Sequence, residues 1–296
     1  MRNNPFFSII IPTYNRSALI GRTLNSVLEQ IFFDFEIVLV DDGSTDDTLS
    51  AVTSYLSDNR TRYFKIKNSE RGAARNYGVK QSQGTYVTFL DSDDIFMPWH
   101  LKTAFEKIEL CDFPPAFHLG YEILHPNGQI DSLPLLPSPV NEKLLEGNFL
   151  SCMGVFLRRE IAIQNPFDED RSLSGSEDYE LWMRIASRMP ILAFEEVTSR
   201  LINHDERSVT TAAPKKLIER ISLLDIKLEA DPYFQKAFGS KKGKFGSYRT
   251  LYLSLHLAMS GERWMAFKSL AYTTYLYPYV IFTFRFIVAF KKIILW

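Results

Sequence analysis

Thr85-Tyr86-Val87-Thr88-Phe89-Leu90-Asp91-Ser92-Asp93-Asp94 is the stretch from which the rest of the chain can be read. β-Branched and aromatic residues alternate through its first half, as in a buried strand, and three carboxylates then arrive within four positions. A strand that ends in clustered acids presents them at the carboxyl edge of a sheet, where open α/β sheets bind ligands. Like charges so close repel one another. Water and salt offset the repulsion if the turn is merely exposed. A hard divalent cation with oxygen ligands offsets it better, particularly one shared with a phosphate-bearing substrate.

The residues before this stretch repeat its logic. Phe6–Ile11 is an apolar run that reads as a buried strand, with Pro12 expected to end it and Thr13-Tyr14-Asn15-Arg16 to form the turn. Ser17 is expected to cap a helix whose apolar positions are Leu19, Ile20, Leu24, Val27 and Leu28. Phe35–Val40 predicts a second buried strand ending on Asp41-Asp42-Gly43-Ser44. Ser44 with Asp47 resembles a capping box for a helix running to about Ser57. Arg62–Ile66 predicts a weaker strand, Gly72–Gln81 a helix carrying Arg75 and Asn76, and Gly84 the release into the central strand. Strand and helix alternating in this way imply a parallel sheet with right-handed crossovers, so the tips at Asp42 and Asp91 should share one crevice.

Downstream, Pro98 is expected to start a helix reaching about Leu110, followed by a strand over Phe117–Leu124 and a tight turn at Pro126-Asn127-Gly128-Gln129. Pro134, Pro137 and Pro139 make the next section irregular, a candidate acceptor-facing loop. Gly154–Leu157 predicts a short strand, and Ser176 a cap for a helix opening Glu177-Asp178-Tyr179-Glu180. Two strands, near Ile191–Phe194 and Thr198–Ile202, are expected to lead to His204-Asp205, with helices from Pro214 onward.

The totals agree with an ordinary folded chain. The 296 residues hold one large α/β domain or one domain with an appendage, and 46% hydrophobic content excludes disorder as the default. Two cysteines, Cys111 and Cys152, make a disulfide framework unexpected and fit a reducing compartment. Met1 leads straight into a polar stretch and a strand, so no secretory leader is expected. The net charge of −1 hides an asymmetry: residues 239–296 carry nine Lys and Arg against one acid, Glu262. A basic end on an acidic body implies two different partners; no recognisable module supports nucleic acid, which leaves an anionic membrane face.

Taken together, Ser8–Arg16, Val40–Asp46, Ala74–Gly78, Phe89–Asp94 and Glu177-Asp178 with Leu181-Trp182-Met183-Arg184 resemble glycosyltransferase family 2, over about Phe6 to Thr210. The resemblance implies a GT-A type, Rossmann-like, mostly parallel sheet flanked by helices, with a helical C-terminal extension. It places a glycosyltransferase domain at 1–212, its nucleotide-sugar half at about 1–97 and its acceptor half at about 98–212, and the extension at 213–296.

It also implies roles. Pro12, Thr13 and Tyr14 would lie against uracil and ribose, although Pro12 and Tyr14 also simply shape a turn. Asp42 would accept the hydrogen bond of the base N–H, with Asp41 as the cap or the neighbour that orients it. Arg75 would serve near the nucleotide, or pair with the acidic tips, or both. Asp91-Ser92-Asp93 matches the Asp-X-Asp metal motif for Mn²⁺ or Mg²⁺, with Asp93 the primary ligand, Asp91 acting through water or on the ribose, and Asp94 capping the following turn. Asp178 would be the base of an inverting transfer, with Glu177 its runner-up or orienting partner. His204 matches a position beside the diphosphate or metal, and Asp168 a turn that shapes the acceptor side.

The implied activity is transfer of a sugar from a nucleotide donor, a UDP-sugar, to a hydroxyl of a glycan or lipid-linked glycan in cell-surface polysaccharide synthesis. The competing reading is a catalytically silent nucleotide-sugar-binding or scaffold protein on the same fold. A nucleotidyltransferase would want a Gly-rich basic phosphate loop after Ile11, and the sequence has none there. Residues 271–296 are rich in Tyr and Phe but interrupted by Pro278 and Arg285, and so predict a peripheral segment at the inner face of the cell membrane rather than a spanning helix. A helical pair packed on protein is the alternative.

Overall fold

The computed structural model describes residues 4–203 and 214–295. The chain divides into two compact units: one built on the sheet, the other gathering Asn141–Phe149, Ser172–Arg188 and the C-terminal helices.

The first unit runs β1 (Phe7–Thr13), α1 (Ile20–Leu28), β2 (Phe35–Asp41), α2 (Thr48–Val52), β3 (Thr61–Lys65), α3 (Glu70–Gln81) and β4 (Tyr86–Phe89). β5 (Ile95–Phe96), α4 (His100–Leu110), β6 (Ala116–Leu124), β7 (Ile130–Ser132), β8 (Val155–Arg158) and α5 (Arg159–Gln164) follow. After α6 (Glu177–Ala186), which belongs to the second unit, β9 (Leu192–Ile202) returns to the sheet. Among the described residues these strands form one nine-stranded sheet in the order β3-β2-β1-β4-β8-β6-β9-β5, with β7 paired to β6. The first four strands in the order are parallel; β8 runs antiparallel to β4 and β6, and β9 parallel to β6.

Every residue of β1 and β2 is buried, so neither alternates; Ser8 and Glu36, which bond to each other at 2.7 Å, interrupt otherwise apolar runs. Each apolar side chain contributes about 1.5–3 kcal/mol by leaving water. α3 lies close on β1: a Cβ at Gly78 would fall 2.4 Å from Ile10 Cγ2, so only glycine permits this approach.

Several local expectations change. Pro12 does not end β1, which continues to Thr13 opposite Asp41. β4 has already left the ladder at Phe89, opposite Ile10, so the N–H that Pro12 lacks would have met no strand on that side. Ser17 caps nothing; α1 starts at Ile20, and the Ser17 N–H binds Asp46 instead. Ser44 is likewise not a helix cap: its hydroxyl accepts from the Asn15 N–H, while Asp46 accepts from Thr48 at the start of α2. The two strands expected over 191–202 are one, β9, with a register shift beside Gly120. A Cβ there would meet the Glu195 carbonyl at 2.9 Å, so the bulged residues of β9 ride over the bare glycine.

In the second unit, α7 (Pro214–Ala230) and α8 (Pro232–Phe238) precede α9 (Lys242–Met259), α10 (Arg263–Leu276) and α11 (Phe284–Leu295). Asp231 caps α8 by accepting the Tyr233 N–H at 2.9 Å. Leu251, Leu257, Ala266, Leu270, Val280, Ala289 and Ile293 belong to a small core shared by the last three helices. Pro278 breaks the chain between α10 and α11. Among the described residues, no helix is long and apolar enough to cross a membrane. Both cysteines are unbridged.

Candidate active site

Three neighbouring strand ends build the site in the first unit. β1 delivers Pro12, Thr13 and then Tyr14; β2 delivers Asp41 and Asp42; β4 runs into Leu90 and the acidic turn. With β1 between β2 and β4, these tips lie along one carboxyl edge.

Asp42 is buried and used by the backbone. One oxygen accepts the Ser69 N–H at 2.7 Å and the other the Glu70 N–H at 2.9 Å, with Asn68 Nδ2 at 3.3 Å. These N–H groups open α3, so the carboxylate acts as a cap supplied from a neighbouring strand. Burial raises its pKa, and the two N–H groups offset only part of the rise. Glu70 sits at φ +74°, a left-handed conformation that costs a non-glycine residue about 1–3 kcal/mol and that the Asp42 bond helps to hold. A carboxylate offers about four acceptor positions, so capping leaves capacity for a ligand N–H. Asp41 accepts from the Ser44 N–H at 2.6 Å and the Tyr63 hydroxyl at 2.5 Å, and so orders the loop beside Asp42. Burial, then the Asp41 carboxylate, raises the Tyr63 pKa.

The acidic turn is held from four directions. Carboxylate oxygens of Asp91, Asp93 and Asp94 come within 4.8 Å of one another. Two unit charges that far apart repel by about 3.5 kcal/mol at an effective dielectric constant of about 20. Arg75, only 1% exposed, donates to Asp91 at 2.7 Å and lies over the Phe167 ring at 5.2 Å. Arg16 reaches Asp93 at 3.7 Å. α1 fixes the turn's backbone: Arg22 Nη2 donates to the Asp93 carbonyl at 2.9 Å and the Thr23 hydroxyl to the Asp94 carbonyl at 2.8 Å. Asp94, expected to cap the next turn, accepts the Ile202 N–H of β9 at 2.9 Å. Ser92 is buried between its acidic neighbours. An all-oxygen, partly buried set of this kind fits a hard divalent cation.

Phe167 and Asp168 belong to a turn packed against α3. Asn76 donates to the Phe167 carbonyl at 2.9 Å, a Cβ at Gly72 would meet the Asp168 carbonyl at 2.8 Å, and Asp168 accepts the Asp170 N–H.

In the second unit, α6 starts on two acids, Glu177 and Asp178. Glu177 is buried and accepts the Gly175 N–H at 2.6 Å, while Ser176 makes no cap bond. Asp178 accepts the Tyr179 N–H at 2.7 Å and Asn148 Nδ2 at 3.0 Å. Trp182 is fully buried, and Arg184 pairs with Glu180 at 2.6 Å. Arg220 of α7 supports the loop before α6: its Nη1 donates to the Ser174 carbonyl at 3.3 Å, and a Cβ at Gly175 would strike it at 2.6 Å. His204 lies outside the described residues.

Arg16 and Asp94 stood at the ends of recognised motifs, and that position was the available signal. Arg22, Thr23, Asn148 and Arg220 carry none, because their partners are distant in sequence.

A parallel α/β half with an acidic turn at its carboxyl edge, continued by a mixed sheet, is a GT-A type of fold. The model of glycosyl transferase family 2 matches residues 8–112. The putative colanic acid biosynthesis glycosyl transferase WcaA of Escherichia coli K12 is 33% identical over 226 residues, covering 73% of this chain and 79% of WcaA. An uncharacterized glycosyltransferase of Rickettsia felis is 31% identical over 232 residues, 77% of this chain but 38% of that protein. The chain thus spans about a third of the length of several rickettsial relatives. Among solved structures, Staphylococcus aureus TarS in complex with UDP-GlcNAc aligns with a TM-score of 0.69 at 22% identity, covering 92% of this chain and 81% of that one. The Pyrobaculum calidifontis mannosyltransferase PcManGT, in complex with GDP-Man and Mn²⁺, aligns at 0.61 and 17% identity, covering 98% of this chain and 86% of that one. Both share the fold. The chain belongs to glycosyl transferase family 2.

Proposed function

We propose that the chain transfers a sugar from a nucleotide-sugar donor, a UDP-sugar, to a hydroxyl of a glycan or lipid-linked glycan, with inversion at the anomeric carbon and in the service of cell-surface polysaccharide synthesis. The observation that carries this is the shared strand edge: Asp42 beside the end of β1 on one flank, and the Asp91–Asp94 turn on the other. Pro12, Thr13 and Tyr14 lie between them and are assigned to the nucleoside. Asp42 retains acceptor capacity for the base N–H. The name of WcaA and the UDP-GlcNAc held by TarS support the polysaccharide role and the donor class.

Asp93 and Asp91, with Asp94 beside them, would hold Mn²⁺ or Mg²⁺, which supplies Lewis-acid charge for the departing diphosphate. Arg75 holds the Asp91 carboxylate in place by its 2.7 Å bond, and so serves the nucleotide through it. Asp178 takes the proton of the acceptor hydroxyl. Its bonds from Asn148 and the Tyr179 N–H hold the carboxylate still, and the helix N-terminus keeps it charged, at some loss of basicity. Glu177 braces the loop that precedes it. The aromatic C-terminal segment places the enzyme at the inner face of the membrane, near a lipid-linked acceptor.

A screen of nucleotide-sugars for hydrolysis, with and without Mn²⁺, tests the reading. Asp93→Ala should weaken Mn²⁺-dependent UDP binding, and equal affinity in EDTA would dispose of the metal assignment. Asp178→Asn should lower transfer about 10²–10⁴-fold while UDP binding stays intact. Unchanged turnover removes Asp178 as the base, whereas nucleotide-sugar binding with no turnover by the native chain favours the silent-scaffold reading.

A further inference from the structure

Two helices of the second unit depart from the pattern of a soluble surface helix, which points apolar side chains inward and polar ones out: they are apolar on the outward face as well. α10 turns Ala266, Leu270 and Thr273 inward, and exposes Trp264, Phe267, Tyr272 and Tyr275. Trp264 is 66% exposed and Tyr275 80%. Positions 264, 268, 271 and 275 recur at helical spacing opposite the buried ones, so they line one outward face. α11 repeats the arrangement, burying Ala289 and Ile293 and exposing Phe284, Ile287, Phe290 and Ile294. The connecting turn adds Phe282, 79% exposed. Single exposed apolar residues need no account, but continuous aromatic faces on consecutive helices do.

Charge identifies what covers them. Of the nine basic residues in 239–296, Lys241, Lys242, Lys244 and Arg249 pair with acids of the same unit, and the other five, Arg263, Lys268, Arg285, Lys291 and Lys292, lie on α10 and α11, which carry no acid. Lys268 sits on the outward face of α10 with its ammonium 5.0 Å over the Trp264 ring, and Lys291 is exposed on α11. A second copy of the chain would oppose one cationic face to another. An anionic bilayer surface meets both demands, since Trp, Tyr and Lys favour the headgroup boundary and phospholipid charge attracts the lysines. No described helix is long and apolar enough to span, so the contact lies in the plane of the interface.

We propose that the outward faces of α10 and α11 form a platform that docks on anionic phospholipid, with Lys268 and Lys291 among the headgroups and Trp264, Phe267 and Phe284 at the acyl boundary. The platform begins ahead of the C-terminal aromatic segment, so removing residues 272–296 would leave half of it in place. It deepens the membrane-acceptor reading above, but stands on the helices alone.

The test is sedimentation of the full chain with vesicles of phosphatidylcholine and with vesicles containing phosphatidylglycerol, at low and high salt. The full chain should pellet with the anionic vesicles only, and less so as salt rises. Each lysine brought against an anionic leaflet is worth about five-fold in binding, so Lys268→Glu with Lys291→Glu should lower it by well over ten-fold. Trp264→Ser with Phe267→Ser should lower it even at low salt. Both pairs should keep the native melting temperature and nucleotide-sugar hydrolysis, since their side chains are exposed and none is among the residues assigned to chemistry. Equal pelleting with both vesicle types, or none, overturns the proposal. So does a stable dimer that the same substitutions dissociate, which would show a second copy covering the face. Vesicle binding without hydrolysis of any donor would sink the transferase reading and leave the platform standing.

Discussion

Arg75 is an internal counter-cation, and replacing it with methionine should expose how much the acidic turn depends on it. Methionine keeps an unbranched apolar stem against Phe167 but removes the charge 2.7 Å from Asp91. Breaking one side of a buried ion pair costs about 3–5 kcal/mol, because the abandoned charge stays behind. The Asp91 side chain is 30% exposed, so water screens part of that loss and about 2 kcal/mol is the better expectation. In a domain of this size each kcal/mol moves the melting temperature by about 2–4 °C, so Arg75→Met should melt about 4–8 °C lower in EDTA. Mn²⁺ should reverse the deficit, since a divalent ion replaces the missing charge and no longer meets a guanidinium beside its ligands. The assay is a pair of thermal melts, EDTA against saturating Mn²⁺, for the native chain, Arg75→Met and the charge-retaining Arg75→Lys. An equal deficit in both buffers, or no deficit at all, would refute the counter-cation argument.

Other outcomes follow from the same geometry. Asp42→Asn turns one acceptor into a donor facing a backbone N–H, so stability should fall by about 1–3 kcal/mol and UDP affinity with it; a chemical denaturation curve that overlays the native one would count against the capping role. His100 and His118 are buried, and desolvation lowers each pKa to about 3. The unfolded chain therefore binds more protons between about pH 6.5 and 3. Stability from both groups is complete above the upper value and should decline on the order of a few kcal/mol as pH falls toward the lower. Nuclear magnetic resonance titration of either ring with a midpoint near 6.5 would contradict this. Arg220→Met should loosen Ser172–Ser176 and reduce kcat for transfer with little change in donor KM, while Arg220→Lys recovers part of the rate; loss of donor KM alone would argue that Arg220 acts elsewhere.

The first sheet half was legible because β1, β2 and β4 are buried on both faces and leave mostly apolar runs. Element ends were less so. Pro12 looked like a terminator because its neighbour across the ladder was unknown, and the early end of β4 is what tolerates it. Gly120 gave no warning that β9 would bulge over it, so one irregular strand looked like two. Ser17, Ser44 and Ser176 had cap-like positions, yet aspartates, a glutamate and loop backbone took those hydrogen bonds instead. The acids of the site announced themselves by clustering after strands. Their supports did not, since Thr23 meets Asp94, and Arg220 meets Ser174, only after the chain has folded.

The carboxyl edge of the sheet is a stair rather than a straight sill. β1 outruns β4 by Ile11, Pro12 and Thr13, a tread of about 10 Å at the usual rise per strand residue. Whatever settles against the Asp91–Asp94 turn is therefore walled along its side by main chain, and at Pro12 that wall offers no proton. Inserting two residues after Phe89 would keep the inward and outward alternation yet slide the acids up the stair by more than half the tread. Such a chain should fold with its core intact and still fail to seat the same nucleotide.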